Sequence, residues 1–291
     1  MGEWQVTRIA GALGAEVRGL DLADVGAEAA SQIEALLIEH HVLFFPDQHP
    51  SAETHIKFGE HFGTLESHPH LENSTPGLPD KLFELSATHG GVADEWHTDL
   101  TYLEHPALYS ILNMKRVPSV GGDTMWSNLA MAYDELSPPI QALCEGLTAL
   151  HDGAANNVPD EEMVHPVVRL HPVTGRRILY VNEHFTRRIV ELSYKESALL
   201  LAHLTSWVSE PRFTVRYRWA EGTLAIWDNR VTQHFVLNDF DEERVIQRVT
   251  VMGDRVEGAS EPRWPAFASG GGETDISRHD EVLREWEKKK A

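Results

Sequence analysis

Apolar and polar positions alternate along most of this chain in short runs, and helical spacing breaks in only a few places. The opening stretch QVTRIAGALGAEVRGLDL (5–22) alternates and is punctuated by glycine, which predicts two short strands and a turn. AEAASQIEALLIEH (27–40) has helical spacing at Ile33, Leu36, Leu37 and Ile38, so a helix is expected there. The apolar run His41–Phe45, closed by Pro46, predicts a buried strand, and Ser51 is a plausible N-cap for a second helix over SAETHIKFGEHFG. Beyond a Pro- and Gly-rich loop at 68–80, KLFELSAT, WHTDLTY and ALYSILNMKRV all read as extended. Two helices, interrupted by Pro138-Pro139, are expected between Asn128 and Gly146.

VVRLHPVTGRRILYV predicts a hairpin turning at Thr174-Gly175, and ESALLLAHLTSWVSE a further helix. RFTVRYRW, TLAIWDN, RVTQHFV and RVIQRVTV then follow as successive strands. The expected fold class is mainly β with flanking helices, a double-stranded β-helix or jelly-roll core. One domain over 1–256 is expected, with a partly flexible C-terminal tail over 257–291. Trp264 and Phe267 in that tail are candidates for docking on a neighbouring subunit.

Composition narrows the function. The formal charge of −20 argues against a nucleic-acid partner, because phosphate binding needs clustered Lys and Arg. Cys144 is the only cysteine, which excludes an intrachain disulfide and a thiolate metal cluster. No stretch of eighteen apolar residues and no charged-then-apolar leader is seen, so no membrane partner and a cytoplasmic location are expected.

Seventeen histidines are present, and the question is which of them converge. His97-Thr-Asp99 places an imidazole and a carboxylate two residues apart, on one face if the segment is a strand. Two other such pairs occur, His70/Glu72 in the Pro-rich loop and His279/Glu281 in the charged tail, so the pattern alone is not specific. A distant histidine would complete a two-histidine, one-carboxylate site with three open positions, the set that non-haem iron(II) oxygenases need. The candidate is His234, in IWDNRVTQH. The strand after it puts Arg244, Ile246, Arg248 and Thr250 on one face. An inward arginine is costly unless an anion meets it. The alternative is that both arginines pair with the nearby acids of DFDEE.

WHTDLTY, GGDTMWSN, HPVVRLHPVTG, VNEHFTRRIVELS, IWDNRVTQH and RVIQRVTVMGD, in this order, resemble the taurine dioxygenase (TauD/TfdA-like) family from about Val6 to Asp254. The resemblance implies an Fe(II)- and 2-oxoglutarate-dependent dioxygenase that consumes O2 and releases succinate and carbon dioxide. His97, Asp99 and His234 would hold the metal. Thr124 and Arg244 would hold the distal carboxylate of 2-oxoglutarate. His68, Phe185 and Arg248 would bind a small anionic substrate, taurine or another alkyl sulfonate or sulfate. Each also has a plainer reading, Thr124 as a strand residue, Phe185 as core and His68 as a loop cap. Trp126, Trp227, Asp228, Asn229 and Arg230 read as packing and turn chemistry, and His165 and His171 as extended connectors. The intact Asp99 favours hydroxylation over halogenation.

Taurine leads as a single substrate. However, Leu71 and Ala93 replace expected larger or more polar residues, and the segment after His151 looks shorter than the usual lid. Another sulfonate, a sulfate ester or a carboxylate is therefore the alternative. The resemblance also implies a homodimer or homotetramer. Two rival classes are a zinc hydrolase on the same three ligands and a non-catalytic jelly-roll binding protein.

Overall fold

The computed structural model describes residues 4–67, 76–87 and 93–267. A seven-stranded sheet forms its base. Gln5–Arg8 (β1) and Ala15–Arg18 (β2) make the predicted hairpin, and helix α1 (Ala27–His40) leads into Val42–Phe45 (β3), parallel to β2. Ser51 caps helix α2 (Ala52–Glu60) by accepting from the Thr54 amide at 3.1 Å, as its position predicted. Phe83–Ala87 (β4) lies at one edge, beyond the long strand Ala107–Arg116 (β5).

A second sheet is centred on Thr124–Asn128 (β6). Helices α3 (Leu129–Asp134) and α4 (Pro138–Cys144) follow. These are the two expected helices, with both prolines in the first turn of α4, where the missing proline N–H costs nothing. Thr148–Gly153 (β7) and Val158–Pro166 (β8) form a hairpin, joined on its outer side by Thr186–Ile189 (β11). Between them Val168–Leu170 (β9) and Arg177–Leu179 (β10) pair across the expected turn, where Gly175 has φ +67°.

Helix α5 (Tyr194–Val208) begins with a capping box between Ser193 and Glu196. The last strands are Thr214–Tyr217 (β12), Leu224–Asp228 (β13), Thr232–Val236 (β14) and Arg244–Met252 (β15). The large sheet runs β1-β2-β3-β13-β5-β15-β4 and the small one β12-β6-β14.

These two sheets pack face to face. Phe44, Leu112, Trp227 and Ile246 of the large sheet meet Trp126, Val215 and Tyr217 of the small one in a single core. Trp126 is completely buried, its ring centroid 5.2 Å from that of Phe44 and 5.6 Å from that of Trp227. Truncating a tryptophan so packed costs about 3–5 kcal/mol. The opposite face of the large sheet is covered by α1 and α2 through Ile33, Leu37 and Phe58. The fold is therefore the mainly β jelly roll with helices outside that the alternation predicted.

One extended assignment fails. WHTDLTY is not a strand. His97 makes a single bridge to His234, and the chain then turns through residues 99–102, with Leu100 at φ 59°. A strand needs a neighbour along its length, and here the ladder stops after one pair. Residues 257–267 run back along the molecule. The Leu170 amide donates to Glu257, Ala259 to Val168, Arg263 to Gly146 and Phe267 to Val190, all backbone to backbone. No helix among the described residues is long and apolar enough to cross a membrane.

Candidate active site

The mouth of the sandwich brings together residues 137 positions apart. The His97 and His234 amides donate to each other's carbonyls at 3.1 and 2.8 Å, leaving the two rings 4.0 Å apart. Asp99 follows across the turn. One ligand atom each from His97, Asp99 and His234 falls within 4.8 Å of the others, and all three side chains are buried. No other such group of three occurs among the described residues.

The protonation states suit a cation. Burial lowers the pKa of both histidines, so each is neutral near pH 7 and keeps a lone pair. His97 Nδ1 donates to the Glu95 carbonyl at 2.7 Å, which leaves Nε2 as the free nitrogen facing Asp99 Oδ1 at 3.9 Å. His234 Nδ1 is buried with no partner. Burial alone would raise the Asp99 pKa, but the Arg248 guanidinium, the two histidines and the Ser110 hydroxyl hold it well below the usual carboxylate range. Two neutral imidazoles and one carboxylate fit a divalent transition metal with open positions.

Beside the cluster lies a cavity of about 140 Å³, partly open to solvent. Of the predicted residues, Thr124, Phe185, Arg244 and Arg248 all line it with the three metal candidates. Thr124 sits on β6, its Oγ1 accepting from Trp219 Nε1 at 2.9 Å. Phe185 is 2 % exposed and flanks His97 edge-on at 6.3 Å between ring centroids. The face assignment for β15 holds. Arg244, Ile246 and Arg248 face the cavity, while Val249 and Val251 join the core under α2.

The pairing of both arginines with the acids of DFDEE does not occur. Glu243 engages Arg116, Glu242 the Ser119 hydroxyl, and Asp239 the Gly122 amide. Arg244 donates Nε to the Gly122 carbonyl at 3.2 Å, and its Nη2 is buried without a partner. Burial lowers its pKa to about 10. The Gly121-Gly122 turn is packed closely: a Cβ on Gly121 would sit 2.2 Å from the Asp239 carbonyl oxygen, and one on Gly122 3.2 Å from Arg244 Cδ. An orphaned guanidinium N–H on a residue lining the cavity fits the carboxylate of an oxoacid. Arg248 donates Nη1 to Asp99 Oδ1 at 3.2 Å.

His68 and Leu71 lie outside the described residues, while Ala93 is on the cavity wall at φ 78°. The segment after His151 forms the β7–β8 hairpin and reaches the wall with Asn156, but it carries no Phe, Trp or Tyr. His165 is a strand residue of β8 whose Nε2 bonds the Leu103 carbonyl. His171 pairs with Asp228, which also holds Arg230 at 2.6 Å.

Three residues around the site were not singled out as functional from sequence. Ser110 donates to Asp99 Oδ2 at 2.6 Å, Asn229 accepts from the Asp99 amide at 3.3 Å, and His184 lines the cavity 5.2 Å from the His97 ring. A faint signal existed for the first, a serine inside the otherwise apolar run ALYSIL.

Comparison with known proteins agrees with this geometry. The family model described as taurine catabolism dioxygenase TauD, TfdA family matches residues 5–250. An alkylsulfatase of Acinetobacter baylyi is 36% identical over 278 residues, covering 88% of this chain and 87% of its own. An alpha-ketoglutarate-dependent sulfate ester dioxygenase of Pseudomonas putida is 36% identical over 277 residues, covering 87% and 90%. Among solved structures, a taurine dioxygenase from Burkholderia xenovorans superposes with a TM-score of 0.80 at 35% identity, covering 92% of this chain and 97% of that one.

Proposed function

The chain belongs to the TauD, TfdA dioxygenase family and is an Fe(II)- and 2-oxoglutarate-dependent enzyme, and from that premise we propose that it oxidises alkyl sulfate esters, with alkyl sulfonates as the neighbouring class. When bound, iron(II), 2-oxoglutarate and O2 supply the oxidation, giving succinate, carbon dioxide and one oxygen atom inserted into a substrate C–H bond.

The chain's own residues have separable parts in this reading. His97, Asp99 and His234 hold the metal on one side, leaving the cavity side open. Arg244, with Thr124 beside it, takes the far carboxylate of 2-oxoglutarate in the cavity. Arg248 grips the substrate anion near the metal, and Phe185 walls off water from the reacting carbon. Hydroxylation of the carbon that bears the ester oxygen leaves hydroxyl and sulfate on one atom. Loss of sulfate then gives an aldehyde and balances the reaction.

The observation that carries the proposal is the charge of the cavity. Two arginines meet one carboxylate there, and Asp99 is the only acid among the described lining residues. Apart from Asp99, which is committed to the metal and to Arg248, a substrate ammonium, as in taurine, finds no counter-charge on those described walls. An apolar tail meets Phe83, Leu85, Leu112 and Ile246. The names of the two relatives at 36% identity point the same way.

The test is succinate and sulfate release under air, with alkyl sulfates, alkyl sulfonates, taurine and carboxylates compared beside an Asp99→Ala control. Alkyl sulfates should stimulate both products in equal amounts, and the control should form neither. Stimulation by taurine or carboxylates alone would defeat the substrate assignment.

A further inference from the structure

The two oxygens of Asp99 have different surroundings. Oδ1 lies 3.9 Å from His97 Nε2 and accepts from Arg248 Nη1 at 3.2 Å, so it is the oxygen on the cluster side. Oδ2 accepts from Ser110 Oγ at 2.6 Å. Ser110 belongs to β5, where it stands opposite Trp227 and Thr250, and it is completely buried.

The serine hydroxyl has one proton to give, and its neighbours dictate where it goes. Ser110 Oγ accepts from Asn229 Nδ2 at 2.9 Å, which directs its own proton to Asp99. The sense of the asparagine is fixed as well. Its Oδ1 accepts from the Asp99 amide at 3.3 Å and from Trp227 Nε1 at 3.2 Å. Turning the amide over would face two N–H donors with a third, so only one arrangement satisfies all the groups. Asn229 is also completely buried, and no solvent competes for these bonds.

We infer that Ser110 and Asn229 are positioning residues that tie back Oδ2 and present Oδ1 alone to the metal. The inference rests on the metal role proposed for Asp99. A free carboxylate turns easily about its last torsion. Untied, Asp99 could offer either oxygen or both. Taking both would use one of the three positions that 2-oxoglutarate and O2 require. The relay holds the carboxylate to one-oxygen coordination before any metal arrives.

The test uses cobalt(II) alone, titrated into chelator-treated full-length protein and followed by its visible absorption, which reports coordination number. Wild type, Ser110→Ala, Ser110→Thr and His97→Ala are compared, with melting curves of each metal-free protein. Loss of a buried partner of a metal ligand typically weakens binding about 10- to 100-fold. Ser110→Ala should show a loss of that size, with an altered band pattern and a metal-free melting temperature near wild type. Ser110→Thr keeps the hydroxyl and should restore both affinity and spectrum. Ser110→Ala decides the matter alone if the added methyl does not fit.

Cobalt affinity within twofold of wild type and an unchanged spectrum in Ser110→Ala would overturn the inference. An equal loss in a folded Ser110→Thr would overturn it too, since packing rather than the hydroxyl would then be responsible. Wild-type cobalt binding by His97→Ala would instead defeat the metal site itself, a separate failure.

Discussion

Replacing Arg244 with methionine should strengthen the empty protein and disable its cosubstrate site at the same time. Arg244 is 6 % exposed, and its guanidinium makes one hydrogen bond to the Gly122 carbonyl and leaves Nη2 unpartnered. Asp123, the acid whose charge acts on it, is engaged by Arg216 at 2.6 Å. Burial lowers the pKa of Arg244 to about 10, below its value in the unfolded chain. The unfolded chain therefore holds this proton more tightly, and the penalty on folding is complete at every pH below about 10.

A drop of that size corresponds to about 3 kcal/mol, from which the lost hydrogen bond subtracts about 1 kcal/mol. Metal-free, ligand-free Arg244→Met should therefore be more stable by about 1–2 kcal/mol. Losing the charge that meets a buried carboxylate costs about 2–5 kcal/mol, so affinity for 2-oxoglutarate should fall by about 30-fold or more. Urea unfolding of chelated protein, followed by tryptophan fluorescence, reads the first effect. Titration of 2-oxoglutarate into the Mn(II)-loaded protein reads the second. A variant that unfolds at lower urea than wild type, or that binds 2-oxoglutarate within threefold, refutes the reasoning.

Three further outcomes are expected. His55, His41 and His165 are buried, and burial lowers each pKa to about 4. Their folded values lie below the unfolded ones, so stability is full above about pH 6.5 and is lost as pH falls toward 4. Each group costs about 2 kcal/mol at pH 5, and a urea midpoint unchanged between pH 7 and 5 would contradict this. Arg248→Gln should raise KM for an alkyl sulfate by about 30-fold or more, while substrate-free 2-oxoglutarate turnover stays within a few-fold. Equal losses in the two assays would show that Arg248 acts on the metal site instead. Chelation should lower the melting temperature without unfolding the protein, since metal at 100 times its Kd contributes about 2.7 kcal/mol. Loss of the far-ultraviolet dichroism on chelation at 25 °C would show that the site is not preformed.

Most of the architecture was legible because its signals are local. Alternation marked the strands, Ser51 marked a helix start, and Gly175 marked a turn. The face of β15 was also legible, because an arginine next to isoleucine in a buried strand has few places to go. The WHTDLTY error has a different origin. Its residues favour extended backbone, but the turn at 99–102 is set by Asn229 holding the Asp99 amide, and no local pattern reports a partner 130 residues away. The Ser110 contact was hidden for the same reason. In sequence it is one hydroxyl in an apolar run, and it acquires a role only because β5 and β13 are neighbours.

The failed strand and the unforeseen serine belong to one arrangement. Had WHTDLTY continued as a strand beside β14, Asp99 would have pointed to the same face as His97 at the rise of two strand residues, about 7 Å along the chain. Two ligands at that spacing can still meet on one ion, but the carboxylate would then take its place from the ladder. Stopping the ladder at the His97–His234 pair lets the chain fold back, so that Asp99 Oδ1 approaches to 3.9 Å from His97 Nε2. A turn is less rigid than a ladder, and the geometry it gains must be fixed by other bonds. Asn229 on the backbone of Asp99 and Ser110 on its side chain supply them, both from the large sheet side of the sandwich. The histidines thus take their positions from backbone pairing and the carboxylate takes its position from buried side chains. This division explains why the histidine pair can assemble with the fold alone, whereas Asp99 depends on a serine and an asparagine that no metal-ligand pattern contains.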